Sequence, residues 1–388
     1  MQHPVGCQFN PDTMRNEMVS FFDVALSPFA VSKFCHTVTS AWIIGAVFCV
    51  GVSAWYLMKK RHTRLAVESL KIGASVGLVA SLLAAATGHK SGQDVAQVQP
   101  MKLAAMEALY NGGTDQGLTA VAWVNPFKQP DYANEAEAPL KIDMPYALSN
   151  MATNDTHGFV PGVNDLLNGY NRPDGTREPS ADEKIERGQK AIAALAAYRK
   201  AKAEGADEST LNSQLSTLNE NMQYFGYGYI KDKSQLVPFI PINFWAFRIM
   251  VGMGVVFILF FGVLVILSYR IPYVSVITRR LLATVGLLPE TSADVHTITD
   301  LPKWHYWLAI ALVPLAYIAS ESGWLVAEFG RQPWTIQDML PTWVAVSDLH
   351  SSSVIITFLL FLVLFTTMLA VEISILLKQI QKGPEYEG

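Results

Sequence analysis

Two residues that can ligate a metal lie in long apolar segments of this chain. His36 lies in the segment that begins near Val31, and Met250 lies in the segment that begins near Asn243. At a helical rise of ~1.5 Å per residue, His36 lies about 8 Å and Met250 about 10 Å from the start of its helix. A histidine and a methionine at equal depth can ligate both axial positions of a low-spin haem and raise its reduction potential. Met253, one turn further on, is the alternative ligand.

Each of these residues also suits an ordinary structural role, which the sequence leaves open. A histidine in a spanning helix can form a hydrogen bond to a neighbouring helix. A methionine in an apolar helix usually fills space in the packing. It is therefore the pair, His36 with Met250, that indicates haem ligation, and neither residue does so alone.

Haem ligation by this pair requires that both helices begin on the same side of a membrane. Lysine and arginine concentrate in the cytoplasmic segments beside membrane helices. The basic residues that follow the first, third and last apolar segments are Lys59, Lys60, Arg61, Arg64, Arg270, Arg279, Arg280, Lys378 and Lys382. We therefore expect a cytoplasmic C-terminus, with His36 and Met250 in the outer half of the membrane.

Ionisable residues inside spanning helices are costly, which makes them candidates for function. Arg248 lies two residues before Met250, roughly on the opposite face, where it can reach a haem propionate or a neighbouring helix. Alternatively, its side chain extends to the outer interface.

Glu321 lies deeper than Glu328 on one face of the fourth apolar segment, where it could ligate a haem iron or handle protons. Glu328 could instead form a plain ion pair with Arg331.

Lys102 and Glu107 lie in PMKLAAMEALY, a predicted helix that follows the second apolar segment. Their spacing of five residues is not that of a helical ion pair. The default interpretation is a solvated helix face. The alternative is chemical, because a carboxylate near a membrane surface can accept protons as a quinol is oxidised while a lysine holds the quinol oxygen.

The elements that must position these residues are five apolar segments, each long enough to cross a membrane. They begin near Val31, Leu70, Asn243, Trp304 and Ser352, the second ending at Thr87 and the fourth at Ala327. The sequence thus predicts an all-α integral membrane protein with five transmembrane helices and a long external helical polar loop. Its divisions are an external pre-helix segment (1–30), two transmembrane helices (31–88), the external loop (89–241), and three transmembrane helices with the cytoplasmic C-terminus (242–388).

The polar regions contain local helix signals. Ser180 followed by Glu183 predicts a capping box at the start of a helix. A second helix is predicted from Leu211 to Met222, so that the two form a helical hairpin. Near the start of the chain, MRNEMVSFFDVAL (Met14–Leu26) is compatible with a short amphipathic helix at the outer surface or with an ordinary loop.

Composition excludes some classes of partner and site. The net charge of −4 without a basic stripe argues against binding to nucleic acid. The three cysteines, Cys7, Cys35 and Cys49, do not have the spacing of a zinc or haem-attachment motif. We therefore interpret them as packing residues.

Five stretches of the sequence resemble, in order, the signature stretches of subunit I of the cytochrome bd ubiquinol oxidases, and the resemblance covers essentially the whole chain. They are MRNEMVSF, KFCHTV, QPMKLAAMEA, NFWAFRIMVGMG and ESGWLVAEFGRQPW. The resemblance implies that His36 and Met250 ligate the low-spin haem b, with Arg248 beside that haem. It also implies that Glu321 serves the high-spin haem b.

The same resemblance implies further features of the function. Lys102 and Glu107 would belong to the quinol-oxidising loop within residues 89–241. The implied cofactors are two haems b and a haem d, and the implied substrates are ubiquinol or menaquinol, and oxygen. The implied partners in the bacterial cytoplasmic membrane are a second large oxidase subunit and a small single-helix subunit.

The chain also departs from the family's pattern. Its opening MQHP resembles the loop before the fifth of nine helices, so we expect the first four helices to be missing. The high-spin haem b and haem d would then form only where those helices are supplied, and the alternative function is a non-catalytic haem-binding or assembly subunit. Smaller departures are His89, where an acidic residue is common, and Tyr317, where a tryptophan can stand.

Overall fold

The computed structural model describes residues 4–269, 284 and 301–384 of the 388-residue chain. Arg270, Arg279 and Arg280, three of the basic residues used to predict the topology, lie outside the described residues. Eleven α-helices occur in the described part. They are α1 Phe21–Ala25, α2 Pro28–Met58, α3 Thr63–Val98, α4 Pro100–Glu107, α5 Ala147–Thr153, α6 Val163–Asn168, α7 Ala181–Ala203, α8 Glu208–Asn221, α9 Ile240–Ser268, α10 Lys303–Phe329 and α11 Ser351–Lys382.

Five helical stretches in the described residues are long and apolar enough to cross a membrane, as predicted. They are Pro28–Met58, Thr63–Val98, Lys233–Ser268, Lys303–Phe329 and Ser351–Lys382. Helix α2 begins at Pro28, three residues before the apolar run, because proline is well suited to the first turn of a helix. Helix α3 continues to Val98, eleven residues past the predicted end at Thr87, because polar residues can continue a helix beyond the apolar run that marks it.

The polar segments contain short strands that the all-α prediction did not include. Eight strands among the described residues form four two-stranded antiparallel sheets. They are β1 Cys7–Asn10 with β2 Arg15–Met18, β3 Leu118–Val121 with β4 Ile142–Met144, β5 Tyr170–Asn171 with β6 Arg177–Glu178, and β7 Trp334–Ile336 with β8 Leu340–Pro341. These hairpins leave the mostly helical fold class unchanged.

Of the two alternatives left open for Met14–Leu26, the amphipathic helix forms only in the second half of the segment. Arg15–Met18 is strand β2, paired with β1, and only Phe21–Ala25 is helical. The side chain of Ser20 accepts a hydrogen bond from the Asp23 N–H at the start of that helix. The helix therefore begins at a serine cap in the middle of the apolar pattern.

The helical hairpin predicted within residues 89–241 is confirmed. Ser180 caps α7: its backbone N–H donates to Glu183 Oε2 at 2.9 Å, and its hydroxyl accepts from the Glu183 N–H at 3.2 Å. Helix α8 spans Glu208–Asn221, so it begins three residues before the predicted start at Leu211. Asp207 precedes it, which is a favourable residue type at that position.

The described residues form two compact units. Unit 1 comprises Met1–Ile44, Gly77–Phe260 and Pro314–Ala345, and unit 2 comprises Gly45–Val76, Phe261–Val313 and Val346–Gly388. The candidate residues His36, Lys102, Glu107, Arg248, Met250 and Glu321 all belong to unit 1. The site can therefore be described within that unit.

The core of unit 1 forms where α4, α9 and β7 meet. Tyr110 is 2% exposed, Phe244 0% and Trp334 4%, and the three belong to one apolar cluster. Burial of each large aromatic side chain contributes roughly 1.5–3 kcal/mol. This cluster fixes the short helix α4 against the first turns of α9.

In unit 2, the end of α11 is tied to the end of α2. Tyr56 donates a hydrogen bond to the carbonyl of Ile380 at 2.9 Å. Arg61 donates to the carbonyls of Gln381 at 2.9 Å and Lys382 at 3.2 Å. These bonds satisfy carbonyls in the last turn of a helix, which have no partner within the helix itself.

Candidate functional site

Helix α4 positions the first two candidate residues. Pro100 occupies its first turn, Gln99 precedes it, and Ala108 ends it in a left-handed conformation at φ 48° and ψ 40°. Lys102 is 2% exposed and Glu107 is 1% exposed. The default expectation of a solvated helix face was therefore wrong, because α4 is enclosed in the core of unit 1 and is not laid on a surface.

The partner of Glu107 is Arg248 on α9. Arg248 Nη2 lies 2.7 Å from Glu107 Oε2, and Nη1 lies 3.3 Å from Oε1. Arg248 also donates to the carbonyl of Met106 at 3.2 Å, and Thr119 N–H donates to Glu107 Oε2 at 3.1 Å. Arg248 thus reaches a neighbouring segment, one of the roles its position left open, and its side chain is only 12% exposed. A paired, two-pronged arrangement holds both groups in one geometry.

Burial shifts the pKa values of both residues on α4. Burial raises the pKa of the Glu107 carboxyl, although the charge of Arg248 acts in the opposite direction. Burial lowers the pKa of the Lys102 ammonium to about 7, with a further lowering from the positive charge of Lys33 and an opposing effect of Glu328. Both groups can therefore exchange protons closer to neutral pH than they would in water.

Few acceptors surround the Lys102 amino group. Its Nζ donates one long hydrogen bond, 3.5 Å, to the carbonyl of Ala327 at the end of α10. A Cβ on Gly330 would lie 2.7 Å from Lys102 Cγ and 2.9 Å from Asn243 Oδ1, so both side chains pack against this glycine. Asn243 Oδ1 is buried and has no hydrogen-bond partner among the described residues. A buried lysine and an unsatisfied acceptor thus both pack against one glycine.

A chain of hydrogen bonds starts at Gln99, immediately before α4. Gln99 Nε2 donates to Gln337 Oε1 at 3.0 Å, and Gln337 Nε2 donates to Asp338 Oδ1 at 3.0 Å. The hydroxyl of Tyr227 donates to the same Asp338 oxygen at 2.8 Å. These residues could not be identified from the sequence, because only folding brings their three distant segments together. This chain of hydrogen bonds holds the start of α4 in place.

Two of the ionisable residues on α10 have different surroundings. Glu328 pairs with Arg331, with an oxygen to nitrogen distance of 2.6 Å, which confirms the plain ion pair. Glu321 is exposed on α10. Within the part of the chain that the structure describes, it forms no hydrogen bond to another candidate residue, and its role stays a prediction.

His36 contacts α3. Its Nδ1 lies 3.1 Å from Thr87 Oγ1, so the hydrogen bond to a neighbouring helix that the sequence left open is present. A Cβ on Gly88 would lie 3.3 Å from His36 Cε1. The imidazole therefore packs directly on the Thr87–Gly88 step of α3, and Nδ1 is the ring nitrogen engaged there.

Met250 contacts α10. A Cβ on Gly323 would lie 2.9 Å from Met250 Sδ, so the thioether packs closely against this glycine. His36 and Met250 are thus each packed against a glycine of another helix. An imidazole nitrogen and a thioether sulfur are a donor set that suits a low-spin haem iron. These residues fit the group.

The fold and this arrangement define a class: a multi-pass membrane protein with a buried ionisable site beside its spanning helices. The family model of the cytochrome bd terminal oxidase subunit I matches residues 1–384, and the chain belongs to that family.

Individual relatives agree. The chain is 32% identical over 386 residues to the cytochrome bd-II ubiquinol oxidase subunit 1 of Escherichia coli (strain K12), an alignment that covers 99% of this chain and 68% of that protein. It is 28% identical over 389 residues to the cytochrome bd ubiquinol oxidase subunit 1 of Bacillus subtilis (strain 168), covering 100% of this chain and 64% of that protein.

A solved structure has the same fold. The bd oxidase of Geobacillus thermodenitrificans superposes with a TM-score of 0.62 at 19% identity, over 99% of this chain and 65% of that chain. At this identity the likeness concerns the fold alone. The chain thus spans about two thirds of the length of the proteins it matches.

Proposed function

We propose that this chain is the haem-carrying, quinol-oxidising subunit of a bd-type terminal oxidase. It oxidises ubiquinol or menaquinol at the outer face of the bacterial cytoplasmic membrane and passes electrons towards the reduction of oxygen to water. Family membership supports this function. The observation that carries it is the buried ion pair of Glu107 with Arg248, because it joins the proposed quinol site to the helix that holds Met250.

Lys102 and Glu107 handle the protons of the quinol. Oxidation of a quinol releases protons, and a base accepts them best when its pKa lies near the working pH. Burial raises the pKa of Glu107 and lowers that of Lys102 to about 7. Both shifts bring these groups towards neutral pH, and in its protonated form Lys102 can donate a hydrogen bond to a quinol oxygen.

His36 and Met250 hold the low-spin haem b in this proposal, and Arg248 lies beside it, with Met253 as the alternative ligand. When bound, this haem supplies one-electron chemistry that a pair of carboxylate and amine groups cannot. Glu321 serves the high-spin haem b, and a haem d completes the set. The chain's own contribution is to hold the imidazole and the thioether against Gly88 and Gly323.

The orientation and the partners are part of the same proposal. Residues 89–241 lie outside the membrane and the C-terminus lies in the cytoplasm, because Lys59, Lys60 and Arg61 are exposed at the opposite end of α2 from His36. A second large oxidase subunit and a small single-helix subunit join the chain in the lipid bilayer.

The test is a reduced-minus-oxidised absorption spectrum, together with quinol oxidation, of the oxidase purified with this chain. We expect a low-spin b-type band that disappears in His36→Ala and in Met250→Leu. Met253→Leu is the matched control, one turn from Met250, and should keep the band. Lys102→Met should keep the band and lose quinol oxidation.

Two results would contradict the proposal. A band retained in both His36→Ala and Met250→Leu would remove these residues as ligands. A band without quinol oxidation in the wild-type protein would instead favour the alternative, a non-catalytic haem-binding or assembly subunit.

A further inference from the structure

Thr87 on α3 has a hydroxyl placed between a backbone carbonyl and the ring of His36. Thr87 Oγ1 donates to the carbonyl of Leu83 at 2.8 Å and lies 3.2 Å from the carbonyl of Ala84. The same oxygen lies 3.1 Å from His36 Nδ1. A hydroxyl has one hydrogen to donate and two lone pairs with which to accept. When the hydroxyl donates its hydrogen to either backbone carbonyl of α3, its oxygen is left as an acceptor for the imidazole.

This arrangement selects one tautomer of His36. If Thr87 Oγ1 accepts, then Nδ1 must carry the ring proton. A neutral imidazole has a single ring proton, so Nε2 is then the nitrogen with a free lone pair. A ligating histidine commonly donates its other ring N–H to a partner, which orients the ring and raises the basicity of the ligand. Thr87 Oγ1 lies at hydrogen-bond distance from Nδ1, which is where such a partner is expected.

The rest of the surroundings keep the ring in this place. The hydroxyls of Thr39 and Ser40 donate to the His36 carbonyl at 2.9 and 2.8 Å. A Cβ on Gly88 would lie 3.3 Å from His36 Cε1 and 3.7 Å from Nδ1. Hydrogen bonds within α2 thus hold the backbone of His36, and contacts with α3 hold one edge of its ring.

We propose that Thr87 is a positioning residue for the haem ligand His36: it accepts the Nδ1–H hydrogen bond and so presents Nε2 to the iron. This inference rests on the proposed function, in which His36 ligates a haem. A hydrogen bond that makes the imidazole more electron-rich stabilises the oxidised iron, so Thr87 lowers the reduction potential of that haem.

The experiment is a potentiometric titration of the low-spin band in the purified oxidase, with Thr87→Val, Thr87→Asp and Thr87→Ser. Valine has the shape of threonine but cannot accept, so the midpoint potential should rise. Aspartate is a stronger acceptor, so the midpoint should fall. Serine keeps the hydroxyl, so the midpoint potential of Thr87→Ser should equal that of the wild type.

Thr37→Val is the matched control. The hydroxyl of Thr37, one residue after His36, donates to the carbonyl of Lys33 at 2.9 Å, the same type of bond that Thr87 makes to Leu83. A midpoint in Thr87→Val equal to that in Thr37→Val would overturn the inference, as would a serine variant that behaves like valine. A band that persists in His36→Ala would instead show that the proposed function itself had failed.

Discussion

Arg248 and Glu107 form a buried, two-pronged ion pair although 141 residues separate them in the sequence. The guanidinium also lies over the rings of Phe244 and Phe247, at 4.5 and 5.2 Å from their centroids. Taking both charges out of water is costly, and their mutual pairing, with the hydrogen bonds from Arg248 to the Met106 carbonyl and from the Thr119 N–H to Glu107, offsets this cost. The pair is therefore a strong constraint on how α4 docks on α9.

Removal of one partner should destabilise the protein more than removal of both. Arg248→Leu leaves the Glu107 carboxylate buried without its counter-charge, which costs about 3–5 kcal/mol. The double variant Glu107→Leu with Arg248→Leu should recover most of that loss. Thermal unfolding in detergent measures the loss of stability in the single and the double variant. Arg331→Leu is the control, because its partner Glu328 is 34% exposed and the loss should be about 1 kcal/mol or less.

Lys102 makes stability depend on pH. Burial lowers its pKa from 10.5 to about 7, so between these two values the unfolded chain binds more protons than the folded one. Stability should therefore rise as the pH increases through this window. Lys102→Met should raise the unfolding temperature at pH 7 and flatten this rise. An unchanged slope in the variant would show that Lys102 is not the group responsible.

Asn243 should control the pH dependence of quinol oxidation through Lys102. Asn243→Asp puts a carboxylate where an unpaired amide oxygen now packs near Lys102, beside Gly330. An opposite charge at this range raises the pKa of an amine, so the midpoint of the pH–rate profile should move up by about one to three units. Lys33, Glu328 and Arg331 also act on Lys102 and stay unchanged in this variant.

The control for that experiment is Asn221→Asp. Asn221 is also buried, but its side chain accepts a hydrogen bond from Arg187 within the helical hairpin of α7 and α8. This variant introduces a buried acid outside the Lys102 site, so the midpoint of the pH–rate profile should equal that of the wild type. An equal shift in both variants would mean that the effect does not act through Lys102.

The parts of the fold that were predictable have local causes. Each of the five spanning helices is marked by its own apolar run, and the capping box of Ser180 with Glu183 needs only four consecutive residues. The strand Arg15–Met18 was not predictable in this way, because its pairing with Cys7–Asn10 outweighs a helical pattern that continues into Phe21–Ala25.

The site was predictable only in part. Its residue type marked Arg248 as a candidate and the family resemblance assigned Lys102 and Glu107 to the quinol-oxidising loop, but a single sequence cannot show that Glu107 is enclosed, since burial of α4 depends on residues far along the chain. Asn243 had a usable signal, because it is a polar residue at the start of an apolar span. Gln337 and Asp338 had none, since polar residues in a hairpin turn are ordinary.

The hydrogen-bond chain from Gln99 to Asp338 should set substrate affinity by holding the start of α4. Gln337→Leu keeps the volume of the side chain but removes both of its hydrogen bonds. If the weaker hold on α4 reduces the free energy of quinol binding by ~1 kcal/mol, KM for quinol should rise about fivefold. The direct measurement is steady-state quinol oxidation at fixed pH. Gln235→Leu, an exposed glutamine whose side chain accepts from the Lys231 N–H, should leave KM unchanged.

Asp338→Asn separates the hydrogen bonds of Asp338 from its charge. Asp338 has a φ of 59°, a left-handed conformation that asparagine also adopts readily. Asparagine keeps an oxygen that can accept from both Tyr227 and Gln337, so KM should stay within about twofold of the wild type if the chain acts only by holding α4. Burial raises the pKa of the Asp338 carboxyl, while the hydrogen bonds from Tyr227 and Gln337 act against this. If Asp338 instead exchanged protons during turnover, Asp338→Asn would lower kcat and change the pH profile while KM stayed constant.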